Sequence, residues 1–506
     1  MEKPKSLQRT KNAESNLKKR KAFSSLAQSS LRRRTKIVVT VGPATRDEQK
    51  IRDLILAGAN IFRLNFSHGT HDEHLKVLKS IRKISEELGI CVAVLQDLSG
   101  PKLRISNVTG NIVELVDKST LQLRKSDGSD SNSSCIYTEL VDPVPYSKVG
   151  HEILLSDGMI CLEVIEAKED HLLCSVKKGG RLRSRAGVAF PDANIDLPAT
   201  TEKDLVDLEW GIKNEIDYVA ISFVQNAEDL NRLRKIISKA NGESRIIAKI
   251  ERKIALENIY EILDAADGLM IARGDLGLEL PLEKVPMLQK SLIEQSNYRG
   301  VPVIVATQML HSMVTSLRPT RAEVTDIANA VMTGADAIML SEETAIGEHP
   351  VECVNTLHKI AVEAEQTFTF NEYKLRLRDS DSETVPDAVA YAACAAANKV
   401  NAGAIIACTE TGTSARLVAK YRPQQPLYAT AVEDSALRRM CLFWGVVPIS
   451  SKHTETHQDE VDMAMSKVQE LENFPNGTLA VITGGMSTRT PGSTSIMDIR
   501  EFNFED

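Results

Sequence analysis

Six apolar runs of this chain end in residues that could do chemistry. Arg63, Asn65 and Ser67 close "IFRLNFS" and Asp97 lies in "VAVLQDL"; Lys249 and Glu251 lie in "IIAKIER", and Arg273 and Asp275 in "IARGD". Thr307 and Gln308 end "VATQ", and Ser341 and Glu343 lie in "MLSEET". Extended backbone alternates faces, so residues two apart share one. Arg63/Asn65/Ser67, Lys249/Glu251 and Arg273/Asp275 are therefore each expected on a common face. Ile247 falls beside Lys249, and Ile246, Ala248 and Ile250 fall opposite. One charged pair of this kind is as often a structural salt bridge as a site. Six strand ends doing it together point to a site. Glu251 and Asp275 are hard oxygen donors suited to Mg2+ (Mn2+ could stand in), with substrate oxygens and waters completing the shell. No histidine cluster accompanies them, which argues against zinc or copper. Arg63, Lys249 and Arg273 offer positive charge to an anion, and "ARGDLG" could present N–H groups at a helix start to a carboxylate or phosphate. The residues alone imply Mg2+-assisted chemistry on a small phosphorylated acid.

To converge, these residues need strands that end together. Eight β-branched runs begin at Thr35, Ile61, Val92, Asp217, Arg245, Gly268, Val301 and Ala337, most of them separated by helix-like stretches such as "DEQKIRDLILAGA". Strand–helix alternation means parallel strands with helical crossovers. Eight units predict a closed (β/α)8 barrel, an α/β fold whose chemistry gathers at the C-terminal strand ends. About 120 residues separate Leu98 from Asp217, far beyond an ordinary connection. Their short alternating runs ("HEILLSD", "GMICLEVIEA") predict a small β domain inserted after the third strand. The expected division is a barrel over 35–101 and 202–374, an inserted β lid over 102–201 and a separate C-terminal α/β domain over 375–506, where "AGAIIACT", "QPLYATA" and "TLAVITGG" alternate again.

Residues 1–34 carry eleven Lys or Arg against Glu2 and Glu14, so the remainder stands near −16 within a net charge of −7. The arm is expected to be a solvated, disordered tail rather than an import signal. An acidic body with 4% aromatic residues argues against nucleic-acid binding, and no apolar run reaches the roughly 18 residues of a membrane span. Eight cysteines without a Cys-x-x-Cys pair read as small core hydrophobes in a reducing compartment.

Taken together, "VGPATR", "IFRLNFSHG", "AKIER", "IARGDLGLEL", "ATQML", "RPTRAEVTDIANAV" and "GADAIMLSEETA" resemble the pyruvate kinase family in order and spacing, from about Thr35 to the C-terminus. The long insertion falls where that family has its lid. The resemblance implies transfer of the phosphoryl group of phosphoenolpyruvate to ADP, giving pyruvate and ATP, the last step of glycolysis, in a cytoplasmic homotetramer. It implies Lys249 and Arg63 at the phosphoryl group, Glu251 and Asp275 on Mg2+, and Gly274, Asp275 and Thr307 at the substrate carboxylate. Thr307, Ser341 and Glu343 border a water-borne proton relay to the enolate. Pro43, Asn65, His68, Arg104 and Lys203 serve the nucleotide, with Asp157 reaching in from the lid. Thr320 and Glu323 are set to form a capping box.

The family's monovalent-cation site corresponds to Asn65, Ser67, Asp97 and the carbonyl of Leu98. Where K+-requiring members carry a glutamate, this chain has Lys102, a tethered cation, so K+ is expected to be dispensable. In the C-terminal domain Thr409, Thr411, Gly412, Thr413 and Ser414, with Arg489, are set out to cradle a phosphorylated effector. Glu410 stands where members responsive to fructose-1,6-bisphosphate commonly carry a lysine, which favours another sugar phosphate or a nucleotide. The competing reading is a pyruvate aldolase on the same barrel, with Lys249 forming a Schiff base. Glu251 beside it argues the other way, by keeping the amine protonated.

Overall fold

The structure, a computed structural model, describes residues 33–193, 195, 197–367, 384–485 and 494–503. The expected boundary at 374/375, Arg489 and nearly all of the basic arm lie outside the described residues. All eight apolar runs are strands. The first three are β1 (Lys36–Thr40), β2 (Ile61–Asn65) and β3 (Ala93–Asp97). The insertion supplies β4 (Ile112–Leu115), β5 (Thr120–Lys125), β6 (Cys135–Thr138), β7 (Glu152–Leu155), β8 (Ile160–Ala167), β9 (Leu172–Lys178), β10 (Gly180–Arg183) and β11 (Val188–Ala189). The barrel resumes with β12 (Tyr218–Ile221), β13 (Arg245–Ile250), β14 (Gly268–Ala272), β15 (Val303–Ala306) and β16 (Ala337–Leu340). Parallel pairing runs β1-β16-β15-β14-β13-β12-β3-β2 and closes on β1.

Every residue of β1, β3, β12, β14, β15 and β16 is buried. A parallel barrel covers both faces of its strands, so they read as unbroken apolar runs. Ile37, Val39, Ile246, Ala248 and Ile250 face the surrounding helices, while Val38, Ile61, Leu95, Ile247, Met270 and Ile304 fill the interior. Helix ends are set locally. Thr320 and Glu323 form the expected capping box, and Thr70/Glu73, Thr201/Asp204 and Asn226/Asp229 do the same. Gly211, inside helix Glu202–Lys213, has no alternative: a Cβ there would lie 2.0 Å from Gln96 Oε1.

The insertion has its own core around Leu121, Ile136, Ile153, Leu162 and Val164. Its six-stranded sheet runs β11-β7-β8-β9-β5-β6, and β4 pairs with β10. Beyond the barrel come β17 (Ala404–Cys408), β18 (Leu427–Ala431), β19 (Val446–Ser450), β20 (Thr478–Gly485) and β21 (Thr494–Phe502). They form one sheet in the order β19-β18-β17-β20-β21, with β21 antiparallel.

This C-terminal domain is less separate than expected. Leu437, Met440 and Leu442 belong to the same apolar cluster as Val38, Leu95 and Ile247 inside the barrel, so the domain closes the barrel's lower end. Tyr218 Oη donates to Arg439 O at 2.6 Å, and Lys36 Nζ to Val446 O at 2.7 Å. Buried Arg422 reaches Asp336 Oδ1, Asn297 Oδ1 and Gly334 O, each at 2.8 Å. The arm also ends sooner than residue 34. Arg33 donates to Asn60 Oδ1 at 2.9 Å, and the Arg34 N–H to Glu365 Oε2 at 2.8 Å. Among the described residues no helix is long and apolar enough to cross a membrane.

Candidate active site

Lys249 is the next-to-last residue of β13, and Glu251 follows the strand end. As period-two geometry requires, they share a face: Lys249 Nζ lies 3.0 Å from Glu251 Oε1. Asp97, ending β3, brings Oδ1 to 3.2 Å, and Ser222 Oγ accepts from the ammonium at 2.7 Å. Arg63 Nε donates to Asp97 Oδ2 at 2.6 Å, and its NH1 to Thr40 Oγ1 at 3.0 Å. The Lys249 side chain is 11% exposed and those of Asp97 and Glu251 are 2%. Burial alone would discharge all three. It pulls Lys249 down, but Asp97 and Glu251 outweigh it and the amine is held above its ordinary range. Burial pushes Asp97 up, and Lys249 and Arg63 bring it below the usual carboxylate value. Glu251 stays raised, because burial exceeds the pull of Lys249 and Asp275 repels it. A Schiff base needs a neutral amine, and this ammonium is held charged.

The loop after β12 holds this arrangement, and sequence reasoning passed it over. Ser222 Oγ, while accepting from Lys249, donates to Leu98 O at 2.8 Å. The N–H of Phe223 donates to Glu251 Oε2 at 2.7 Å, from a residue with φ of +56°. A left-handed phenylalanine is strained by on the order of 1–3 kcal/mol and persists only where its surroundings impose it. The signal that could have found it is Ser222 itself, a polar residue directly after the apolar run "DYVAI".

One sequence expectation needs correction. Arg273 and Asp275 do not share a strand face, because Arg273–Glu279 is a helix and period two stops at Ala272. Arg273 turns to Asp326 Oδ2 at 2.5 Å and to the carbonyls of Thr307 (2.7 Å) and Ala306 (3.3 Å). It therefore props the loop after β15 instead of facing a substrate. That loop carries Thr307 at φ +72° and Gln308 at φ +54°, and Thr307 Oγ1 accepts from the Gly274 N–H at 3.0 Å. Glu343, in turn, accepts from the N–H of Leu310 (3.0 Å) and of Ser341 (2.7 Å), and is 1% exposed. With both oxygens bound to backbone it fixes the position of Ser341 at the border of the expected relay.

Asp275 looks toward the lid, with Lys102 Nζ 3.0 Å from its Oδ1. The turn between β7 and β8 places Asp157 beside them: a Cβ built on Gly187 would lie 3.5 Å from Asp157 Oδ1 and 3.6 Å from Lys102 Cε. Lys102, Asp157, Glu251, Arg252 and Asp275 line a cavity of about 60 Å³ between lid and barrel. Glu251 and Asp275 face this cavity as two repelling oxygen donors. A hard divalent cation such as Mg2+ suits that donor set and would relieve the repulsion. Among the described residues no cluster of three or more His, Cys, Asp or Glu offers a rival metal site.

Of the proposed nucleotide residues only Asp157 lines this cavity; the others lie at or after the ends of β1, β2 and β3 and at the start of helix Glu202–Lys213. Asn65 ends β2, with Oδ1 accepting from the Ser67 N–H at 3.1 Å, and His68 is exposed in the loop that follows. Pro43 begins the loop after β1 next to Gly42, where a Cβ would meet Ala345 O at 2.5 Å. Lys203 is anchored rather than merely solvated: Nζ contacts Asp207 Oδ2 at 2.5 Å and Phe66 O at 2.8 Å. Asp207 also binds His71 Nε2 at 2.7 Å, a partner the sequence reading missed. Arg104 sits at the base of the lid with NH1 on Arg185 O at 3.0 Å and its backbone bridged to Gly187. Of the four cation-site positions, Asn65 Oδ1 accepts from the Ser67 backbone N–H, Asp97 pairs with Arg63 and Lys249, and Leu98 O accepts from Ser222 Oγ. Lys102 is paired to Asp275 instead of standing among them.

The expected effector loop opens helix Thr413–Lys420 through Gly412 at φ +90°. Its hydroxyls are largely turned inward. Thr409 Oγ1 accepts from the Gly412 N–H at 3.0 Å, Thr411 and Thr413 bond each other at 2.9 Å, and buried Ser414 bonds Thr494 at 2.5 Å.

Known proteins carry the same plan. A family model described as "Pyruvate kinase, barrel domain" matches residues 32–354, and one described as "Pyruvate kinase, alpha/beta domain" matches residues 387–500. The pyruvate kinase of Geobacillus stearothermophilus is 40% identical over 474 residues, 93% of this chain and 80% of that protein. That of Staphylococcus aureus strain USA300 is 40% identical over 474 residues, 92% of this chain and 80% of its own length. A likeness of that depth, running through barrel, lid and α/β domain alike, means that the chain belongs to the pyruvate kinase family of phosphotransferases.

Proposed function

We propose that this enzyme moves the phosphoryl group of phosphoenolpyruvate onto ADP at the mouth of the barrel, with Lys249 as the countercharge to the group in flight. The observation that carries the reading is the buried Lys249 ammonium, kept charged by Asp97 and Glu251 and aimed by Ser222. Phosphoryl transfer has little covalent chemistry for a protein to do, so positioning and preorganised charge are what the site must supply. Arg63, fixed by Asp97 and Thr40, adds the second cation. Glu251 and Asp275 would hold Mg2+, which withdraws charge from phosphoryl oxygens when bound. Thr307 accepts from the Gly274 N–H, so its own hydroxyl proton is left to meet the substrate carboxylate. Asn65, Pro43, His68, Lys203, Arg104 and Asp157 take the nucleotide, with lid closure excluding water. After transfer the enolate takes a proton beside Thr307 and Ser341, whose position Glu343 fixes.

In the same reading K+ is dispensable, since Lys102 supplies a fixed cation next to Asp275. The enzyme works as a cytoplasmic homotetramer, which sedimentation at assay concentration would check. One experiment tests the core of the proposal. Pyruvate release from phosphoenolpyruvate and ADP is followed with Mg2+ in a buffer whose only monovalent cation is a bulky organic ammonium. Near-full turnover is expected. Absence of turnover with and without K+ refutes the transfer itself, while at least tenfold stimulation by KCl at matched ionic strength refutes only the K+ independence.

A further inference from the structure

Cys91 and Cys441 stand apart from the other six cysteines. They are 350 residues apart in sequence, yet their Sγ atoms lie 3.6 Å from each other. Cys91 leads into β3 at the lower end of the barrel, and Cys441 ends helix Asp434–Met440 of the C-terminal domain. Both are free thiols. A disulfide needs about 2.05 Å, so the sulfurs must close by roughly 1.6 Å. The interface holds them in register. Arg438 Nε meets Asp217 Oδ1 at 2.6 Å, Arg82 meets Asp217 Oδ2 at 2.8 Å, and Tyr218 Oη bonds Arg439 O. Cys441 Sγ also lies 3.4 Å from Cys91 O.

The two thiols differ in access. A crevice of about 1410 Å³ between the barrel and the C-terminal domain is lined by Cys91, together with Arg82, Leu437, Arg438 and Trp444. Cys91 is half-buried on its wall, and Cys441, 2% exposed, lies behind it. Such an order separates an attacking from a resolving thiol.

We propose that Cys91 and Cys441 form a reversible disulfide across the domain boundary, with a low-molecular-weight disulfide as oxidant. The Cys91 thiolate attacks one sulfur of the small disulfide, whose S–S bond breaks, and the departing thiolate takes up the Cys91 proton. Cys441 then yields its proton, attacks Cys91 Sγ and expels the second half as a thiol. One S–S bond is lost and one gained; two protein thiols are oxidised and the small disulfide is reduced to two thiols. Arg438 favours the Cys91 thiolate, whereas the Cys441 contact, burial and Asp217 push the thiol up. Lys36 stands within electrostatic reach of Cys441. A thiol held up in this way makes exchange slow.

The test treats the full-length enzyme with excess oxidised glutathione at mildly alkaline pH, followed by non-reducing peptide mapping. One cross-linked pair containing Cys91 and Cys441 is expected, with an intact mass lower by two hydrogens and both thiols restored by dithiothreitol. Cys441→Ser should stop at a glutathione adduct on Cys91, and Cys91→Ser should leave Cys441 unmodified. A wild-type Cys91 adduct that never cross-links overturns the proposal. So does modification of Cys441 in Cys91→Ser, or an unreacted pair while half-exposed Cys135 and Cys161 are consumed.

Discussion

Replacing Lys249 by methionine removes one charge and keeps most of the side-chain volume. The ammonium lies 3.0 and 3.2 Å from two carboxylate oxygens. Were it to stand about 4 Å from the transferring phosphoryl group, a unit charge there would be worth about 4 kcal/mol at an effective dielectric near 20. At 1.36 kcal/mol per decade that is about a thousandfold in kcat. The same substitution leaves Glu251 without its neighbouring cation, so Mg2+ should bind as tightly as before or more tightly. Asp97 keeps Arg63, but a buried ion pair has been broken, and stability should drop by about 3–5 kcal/mol. The assay is pyruvate formation coupled to lactate dehydrogenase, with kcat and both KM values determined at saturating Mg2+, and Mg2+ affinity measured separately by calorimetry. A fall in kcat of three decades with an ADP KM near the wild-type value is expected. If the folded variant loses less than tenfold in kcat, the countercharge role is wrong. If its KM values rise while kcat holds, Lys249 merely binds.

Three further outcomes are expected. Lys102→Glu replaces an attraction of 3.0 Å to Asp275 by a repulsion, and its activity should rise at least tenfold on adding KCl at constant ionic strength; an indifferent variant would refute the tethered-cation account. Burial and then Arg33 lower His358 to about 4, so the folded state resists the protonation that the unfolded chain undergoes near 6.5. Stability is therefore lost as pH falls from about 6.5 through 4, by about 1–2 kcal/mol once its partial exposure is discounted. Urea melts at neutral and acidic pH should show a flatter dependence for His358→Gln, and identical slopes would exclude this residue as the source. Arg422→Met strands buried Asp336 and should cost about 3–5 kcal/mol in denaturant titrations; a loss under 1 kcal/mol would mean that Asp336 is satisfied by its backbone donors.

The barrel was legible because its strands are buried on both sides, which forces β-branched runs that few other structures demand. Lys249 and Glu251 were legible for the opposite reason: charge in such a run needs a partner, and period two says where it lies. The rule failed at Arg273 because the chain had already left the strand for a helix, and nothing in "IARGD" marks the change. The partners of Glu343 were not legible, because the use of both its oxygens by backbone N–H groups depends on the path of two loops. Ser222, Phe223 and Asp207 escaped for a similar reason. Each acts by holding another functional residue, and a sequence records identity but not who holds whom. The Lys102 contact was not legible either, because its partner, Asp275, is 173 residues away.

The cluster that joins Ile247 to Leu437, Met440 and Leu442 has a mechanical meaning. A Cβ built on Gly268 would lie 3.3 Å from Ile247 Cγ1 and 3.7 Å from Leu442 Cδ2, so the two side chains press on the same spot. Ile247 stands two residues before Lys249, about 7 Å lower along the strand. The barrel floor is thus a thin diaphragm, with the C-terminal domain beneath it and the Lys249 cluster resting on top. Displacing a catalytic group by about 1 Å can cost a hundredfold in rate. A tilt of helix Asp434–Met440 needs no long relay to reach Lys249; it has only to push on the drumhead.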